Sequence, residues 1–406
     1  MNQNKNVNLL IVVAALGYFV DIYDLIVFNV VKNQSLQALG FVGEALKTNE
    51  IFLFNVQMTG MLLGGLLWGI MGDKKGRVSV LFGSIFMYSL ANIGNAFVTD
   101  INQYAIMRFI AGIGLAGELG AGITLVAENM SKENRGYGTM IIVAFGALGA
   151  VFAGMIGKHF AWHTTYLVGG GLGLLLLLTR AGAYESGMFK SLTQNKEIKR
   201  GNFFSLFQRS DLFIKYLACI LIGLPIWFAV GVLVNLSNRF AEAHGLLEKL
   251  NIADSVMFAY LGLSAGDIGS GLLSQLLKSR KKVVYIYLAL SVVVTLVYLF
   301  NTNVSVNYFK FMCFAIGFAT GYWALFVTIA SEQFGTNIRS TVTNTVPNFV
   351  RGAVVPITLS FASLSINFGV IQAAFWVGLV CISLAFIATF FIKESFSKDL
   401  NYFEID

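Results

Sequence analysis

Twelve runs of roughly twenty apolar residues follow one another along the chain, at about 8–30, 51–72, 79–98, 102–127, 138–157, 164–183, 212–235, 253–276, 283–301, 307–329, 341–363 and 367–392. A helix needs about 20 residues to cross a hydrocarbon layer of ~30 Å. In lipid a helix satisfies its own backbone. The runs are too long and too rich in Leu, Ala and Gly to read as strands. Only 12% of the residues are charged and 56% are hydrophobic, which excludes a soluble domain. The sequence therefore predicts an all-α integral membrane protein with twelve transmembrane helices. No cleavage signal is evident ahead of the first run, so that run is expected to be kept.

Lys and Arg set the expected orientation. With the N-terminus inside, twenty of the 28 fall on the cytoplasmic side and six outside, with Arg108 and Arg351 inside spans. Both termini are then cytoplasmic, and the net charge of +7 is topological rather than a sign of nucleic-acid binding. A basic segment at 184–211 divides the chain into six-helix bundles, 1–183 and 212–406. Internal repetition supports the division. AENMSKENRG places Glu128 and Arg135 seven apart, and SEQFGTNIRS places Glu332 and Arg339 seven apart, at an offset of 204. YESGMF after span six is echoed by KESFS after span twelve. Two such copies with the substrate path between them suit a secondary transporter.

Asp21, Asp24, Arg108, Glu118, Asp267 and Arg351 fall inside spans. A carboxylate at the bilayer centre costs at least about 2.5 kcal/mol, so each implies a partner or a wet cavity. Asp21 and Asp24 share a helical face. Two neighbouring carboxylates cannot both ionise easily, which suits a proton site. Arg108 reaches a similar depth, so the group is either a proton-coupling unit or a fixed salt bridge. Glu118 reads as a second proton site or a substrate contact.

In span eleven, TVTNTVPNFVRGAVVP puts Thr341, Asn344, Asn348 and Arg351 on one face. Arg351 reads either as a bidentate clamp on a substrate carboxylate or as a permanent partner of Asp267 or Glu118. Span eight offers Tyr260, Ser264 and Asp267 on one face. Trp227, Tyr322 and Trp323 either line the cavity or pack. Cys219, Cys313 and Cys381 lie in separate runs, and no His, Cys or carboxylate set has metal-ligand spacing. No nucleotide-binding loop and no nucleophile–base set stand out, so neither a cofactor nor an enzyme is expected.

GIMGDKKGR at 69–77 resembles the loop between helices two and three of the major facilitator superfamily. GYFVDIYDLIVF and RFIAGIGLAGELGAG resemble helices one and four of its metabolite:proton symporter family, which is related to sugar porters and organic-ion transporters. IRSTVTNTVPNFVRGAVVP resembles helix eleven of that family. The resemblance covers about 8–395. It implies the major facilitator fold and proton symport of a small organic acid or zwitterion across a bacterial inner membrane. It places Asp21, Asp24, Arg108 and Glu118 at the coupling positions. It makes Asp73, Lys74, Gly76 and Arg77 a latch on the cytoplasmic gate, with Asp73 capping or pairing across the two halves. Glu128 and Arg135 join as network partners, and the repeat adds Glu332 and Arg339. Gln275 stands where the second-half loop often carries Asp, which predicts a weaker second latch.

The expected function is a proton-coupled importer working by alternating access in the lipid bilayer. Its expected partners are protons and a small carboxylate or zwitterion held at Arg351, Asn348, Asn344, Asp267, Tyr322, Trp323 and Trp227. The rival readings are an organic-anion exporter or uniporter on the same fold, and a membrane sensor.

Overall fold

The computed structural model describes residues 2–179, 186–194, 199–248, 250–301 and 304–404, with side chains left aside at 2–9, 179, 190 and 193–194. Of the charge pattern, Arg180, Lys196 and Lys249 lie outside the described residues, as do 184–185 and 195–198 of the 184–211 segment. Among the described residues every regular element is a helix.

The first half contributes α1 (Asn2–Ala38), α2 (Gly43–Lys75), α3 (Arg77–Asn95), α4 (Ile101–Asn129), α5 (Arg135–His159) and α6 (Trp162–Thr179). The second contributes α7 (Ser210–Val234), α8 (Ile252–Leu276), α9 (Arg280–Phe300) and α10 (Val306–Gln333). Residues 339–391 complete it, divided at Gly369 (φ 79°, ψ 165°) into α11 (339–368) and α12 (370–391). The twelve helices appear in the expected order. Two of them, α1 and α2, extend furthest beyond their apolar runs. α1 continues through the polar Lys32–Gln37 stretch, and α2 begins at Gly43 instead of near residue 51. Hydropathy marks the part of a helix in lipid, while its hydrogen-bond ladder runs on into the polar zone.

The repeat shows in the helix breaks. α4 is interrupted at Ala116–Gly117 and restarts at Glu118; α10 is interrupted at Thr320–Tyr322 and restarts at Trp323. These breaks sit at the offset that relates Glu128 to Glu332. α7 contains Pro225 and loosens into a π turn over Ala229–Val234, a departure that often marks a functional stretch.

Across the halves α2 packs on α11 and α5 packs on α8. Glycine makes the first approach possible: a Cβ at Gly69 would lie 2.9 Å from Thr341 Cα, and one at Gly65 would lie 2.9 Å from Asn348 Cβ. Small residues let helix backbones meet where no hydrophobic force draws them together.

Candidate functional site

Three layers of polar side chains occupy the interior. The first closes the end that carries the α2–α3, α4–α5, α8–α9 and α10–α11 connections. Asp73, fully buried at the end of α2, accepts from Ser340 N–H at 3.0 Å, Thr341 N–H at 2.8 Å and the Thr341 hydroxyl at 2.7 Å. It thus caps the N-terminus of α11 from the opposite half, where unsatisfied N–H groups favour an anion. Glu128 Oε1 accepts from Arg77 of its own half and from Arg339 of the other, each at 2.9 Å. Ser186 donates to its second oxygen at 2.5 Å.

The second half repeats this set. Glu332 meets Arg280 of its own half at 3.3 Å and Arg135 of the other at 4.0 Å, and accepts from Ser395 at 2.7 Å. The second set is looser. Gln275 stands where Asp73 stands in the first, beside Gly136 and Arg280, and its Nε2 has no hydrogen-bond partner. The C-terminal segment lies over both sets, with the Leu400 carbonyl accepting from Arg339 Nη2 at 2.5 Å. Glu128 and Arg135 enter the network in different sets: each Glu reaches across to the other half's Arg, Glu128 to Arg339 and Glu332 to Arg135, because that Arg opens the facing helix.

Glu394, in the segment after α12, receives hydrogen bonds from the Ser279 hydroxyl at 2.5 Å and from Arg280 and Ser395 N–H at 2.9 Å. Burial works against its charge, but these donors and Phe396 N–H outweigh it and hold the carboxyl below its ordinary value.

The second layer is central. A cavity of about 20 Å³ lies between the halves, lined by Tyr18 and Ile22 of α1, Trp227 of α7, Tyr260 of α8, Trp323 of α10 and Arg351 of α11, among others. That is room for about one water, so the centre holds no space for a cargo in this state. Arg351 donates to Asn348 Oδ1 at 3.2 Å and lies 5.5 Å over the Trp323 ring, while its Nε has no hydrogen-bond partner.

Several anticipated lining residues are engaged elsewhere. Asp267 does not pair with Arg351. Its Oδ1 accepts from Ala324 N–H at 2.8 Å, because the break in α10 leaves first-turn donors that a buried carboxylate can cap. The Tyr322 hydroxyl donates to the Ile222 carbonyl at 2.9 Å, which pins the same break to α7. Asn348 donates to the Ala116 carbonyl across the halves at 2.9 Å, and Asn344 donates to Ser340 O at 2.8 Å while packing on Gly120. Both therefore seal the interface below the cavity.

The third layer is inside the first half. Asp24 is fully buried and abuts α6 at Gly169, where a Cβ would collide with its Oδ1. Asp21, Asn92 of α3 and Arg108 of α4 lie within electrostatic reach of it. Arg108 does not bridge directly to Asp24. It donates to Gln57 of α2 and lies 4.7 Å over the Phe28 ring, leaving Nε and Nη1 without hydrogen-bond partners. Asp21 lies one turn nearer the centre, within electrostatic reach of Tyr18 and Tyr260, as Arg351 also is. Glu118 is buried in the first turn after the α4 break. Neither acid of α1 is among the side chains lining the central cavity, nor is Glu118.

The sequence model of the Major Facilitator Superfamily matches residues 14–354. The chain belongs to this superfamily. A Bacillus subtilis protein named for niacin/nicotinamide transport is 25% identical over 378 residues, covering 91% of this chain and 92% of that protein. The 3-(3-hydroxy-phenyl)propionate transporter of Escherichia coli is 27% identical over 316 residues, 75% of each chain. The proton:xylose symporter XylE bound to 6-bromo-6-deoxy-D-glucose superposes with a TM-score of 0.76 at 15% identity, covering 98% of each chain, which shows a shared fold. This facilitator is a multi-pass membrane transport protein and not an enzyme. Its sequence gave little warning of two of its site residues. Gln57 and Tyr18 sit in apolar runs, and a polar side chain at such a position is the signal that could have singled them out.

Proposed function

We propose that this facilitator imports a small aromatic monocarboxylate together with protons. The two bundles, 1–183 and 212–406, would rock about the central cavity while 184–211 joins them. The observation that carries the reading is the cavity wall itself. It holds one guanidinium, Arg351, with an unsatisfied Nε, amid Trp227, Trp323, Tyr18 and Tyr260. A guanidinium binds a carboxylate bidentately, and aromatic side chains offer flat faces to a ring. The named cargoes of the two relatives, niacin and a hydroxyphenylpropionate, carry a ring and a carboxylate. Proton coupling is supported by the paired acids Asp21 and Asp24 and by the name of the structural neighbour. Protonation of this pair would weaken its electrostatic attraction to Arg108, while cargo engages Arg351. The excess of Lys and Arg at the latched end supports a cytoplasmic position for it, so cargo that enters with protons from the other end would move inward.

The test is uptake of radiolabelled nicotinate and 3-(3-hydroxyphenyl)propionate by proteoliposomes under an inwardly directed proton gradient. At least one of the two should accumulate above its equilibrium level, and a protonophore should reduce it to equilibration. Uptake that never exceeds equilibrium, with or without the gradient, would leave a uniporter; gradient-driven efflux alone would leave an exporter.

A further inference from the structure

A titrating carboxylate needs a route for its proton. Asp24 has no exposed surface and is not part of the central cavity wall. The central cavity therefore does not deliver protons to it directly. The first half contains another path. Ser35 Oγ lies 3.1 Å from Tyr104 Oη, and Tyr104 Oη lies 2.7 Å from Tyr166 Oη. All three residues are fully buried. They come from α1, α4 and α6, the helices that also supply Asp24, Arg108 and Gly169. The chain of hydroxyls is ordered along the helices. Tyr104 is one turn before Arg108 on α4. Tyr166 is three residues before Gly169, the residue against which the Asp24 carboxylate rests. Ser35 stands eleven residues beyond Asp24 on α1, about 16 Å along the axis.

We propose that Ser35, Tyr104 and Tyr166 form a proton relay that feeds Asp24 from the end opposite the latch without passing through the central cavity. The proposal rests on the proton-coupled reading above. A hydroxyl donates one hydrogen bond and accepts others, so a linked row passes a proton by exchange. A proton accepted at Ser35 Oγ releases that group's own proton to Tyr104 Oη, which releases its own to Tyr166 Oη. Tyr166, which faces Asp24 without a hydrogen bond to it in this state, gives up its proton towards the carboxylate, and rotation of the three hydroxyls resets the row. No charge is left behind.

The surroundings suit the role. At the outer end Ser35 also donates to the Lys32 carbonyl at 3.2 Å. Lys32 is ion-paired to Glu50, and both line a largely apolar cavity of about 120 Å³ between the halves, with Asn29 and Asn55 of the first half and Asn235, Arg239 and Thr358 of the second among its polar residues. That cavity has room for several waters, and a water there would supply the entering proton. At the inner end, Asp21 on α1, Asn92 on α3, Arg108 on α4 and the two tyrosines, Tyr23 and Tyr166, are the polar and charged groups facing Asp24. The rings are held in place: Phe28 meets Tyr104 edge-on at 5.9 Å, and Trp162 meets Tyr166 edge-on at 6.4 Å.

The experiment uses the full chain in liposomes loaded with a pH-sensitive dye. Two rates are read: nicotinate-driven proton entry, and nicotinate counterflow at equal pH on both sides. Tyr104→Phe, Tyr166→Phe and the double variant keep the rings and remove the hydroxyls. Proton entry should slow by about 100-fold in the double variant, the lower range for loss of a positioned proton-transfer group, with counterflow unchanged. Tyr298→Phe, which removes an equally buried hydroxyl from the other half, should alter neither rate. Unchanged proton entry in the double variant would overturn the relay. Proton entry and counterflow falling together would also overturn it and make the tyrosines structural. Asp24→Asn separates the two readings. If that variant still drives proton entry with nicotinate, proton coupling at Asp24 is wrong; if it is uncoupled while the tyrosine variants are normal, the relay alone fails.

Discussion

Glu128 and Arg339, 211 positions apart in sequence, meet at 2.9 Å in the closed interface between the two halves. The same carboxylate oxygen holds Arg77 at 2.9 Å. Removing one member of a buried ionic group leaves the others uncompensated, at a cost of about 3–5 kcal/mol. Glu128→Gln should therefore open the latched end. The readout is alkylation of a cysteine placed at Thr343, which is fully buried against Thr124 in the closed state. The native cysteines are buried and would be replaced first. Labelling should be slow in the parent and fast in the variant; equal rates would remove Glu128 from the gate.

The two latches are unequal for a reason that one substitution addresses. Asp73 accepts three hydrogen bonds at the start of α11, whereas Gln275 Nε2 has none beside the start of α5. Gln275→Asp should supply the missing acceptor next to Arg280 and Gly136. A hydrogen bond to a charged group is worth about 1.5–3 kcal/mol. The variant should melt at a higher temperature and turn over more slowly, since each cycle must break this contact. Faster turnover would contradict the assignment.

Arg351 tests the cargo site. Arg351→Ala should weaken nicotinate binding by about 100-fold or more, the usual effect of truncating a buried charged partner. Arg351→Lys keeps the charge but loses the planar fork and should remain clearly impaired. Calorimetric titration of purified protein reads both. Parent-like affinity in the two variants would make Arg351 a packing residue.

Gly169 has no room for a side chain, because a Cβ there would strike Asp24 Oδ1. Ala is a better helix former than Gly by about 1 kcal/mol, so Gly169→Ala should not harm α6 itself. It should displace the carboxylate. The expected result is a folded protein that exchanges substrate yet fails to accumulate it against a gradient. Normal accumulation would show that the position of Asp24 is not critical.

Glu394 gives a pH dependence outside the membrane. Its folded carboxyl is held below the ordinary value of 4.5. Its contribution to stability is therefore complete above that value and disappears as pH falls through the lower folded value. The difference in melting temperature between the parent and Glu394→Gln should be constant from pH 8 to about pH 6 and shrink towards pH 3. A difference that grows on acidification would reverse the sign.

The sequence by itself determined the number and order of the membrane helices and the buried charges that needed an explanation. It could do so because lipid imposes a length and a polarity on every spanning segment. Partnership was decided only by the tertiary structure. Asp267 caps the broken α10 instead of facing Arg351, Arg108 donates to Gln57 instead of bridging to Asp24, and Glu128 finds its second arginine, Arg339, in the other half. Wheel positions and depths place a residue on a face of its own helix. Which donor meets it depends on how helices distant in sequence approach, and here that approach is set by glycines such as Gly65, Gly69 and Gly169, whose missing side chains admit their neighbours.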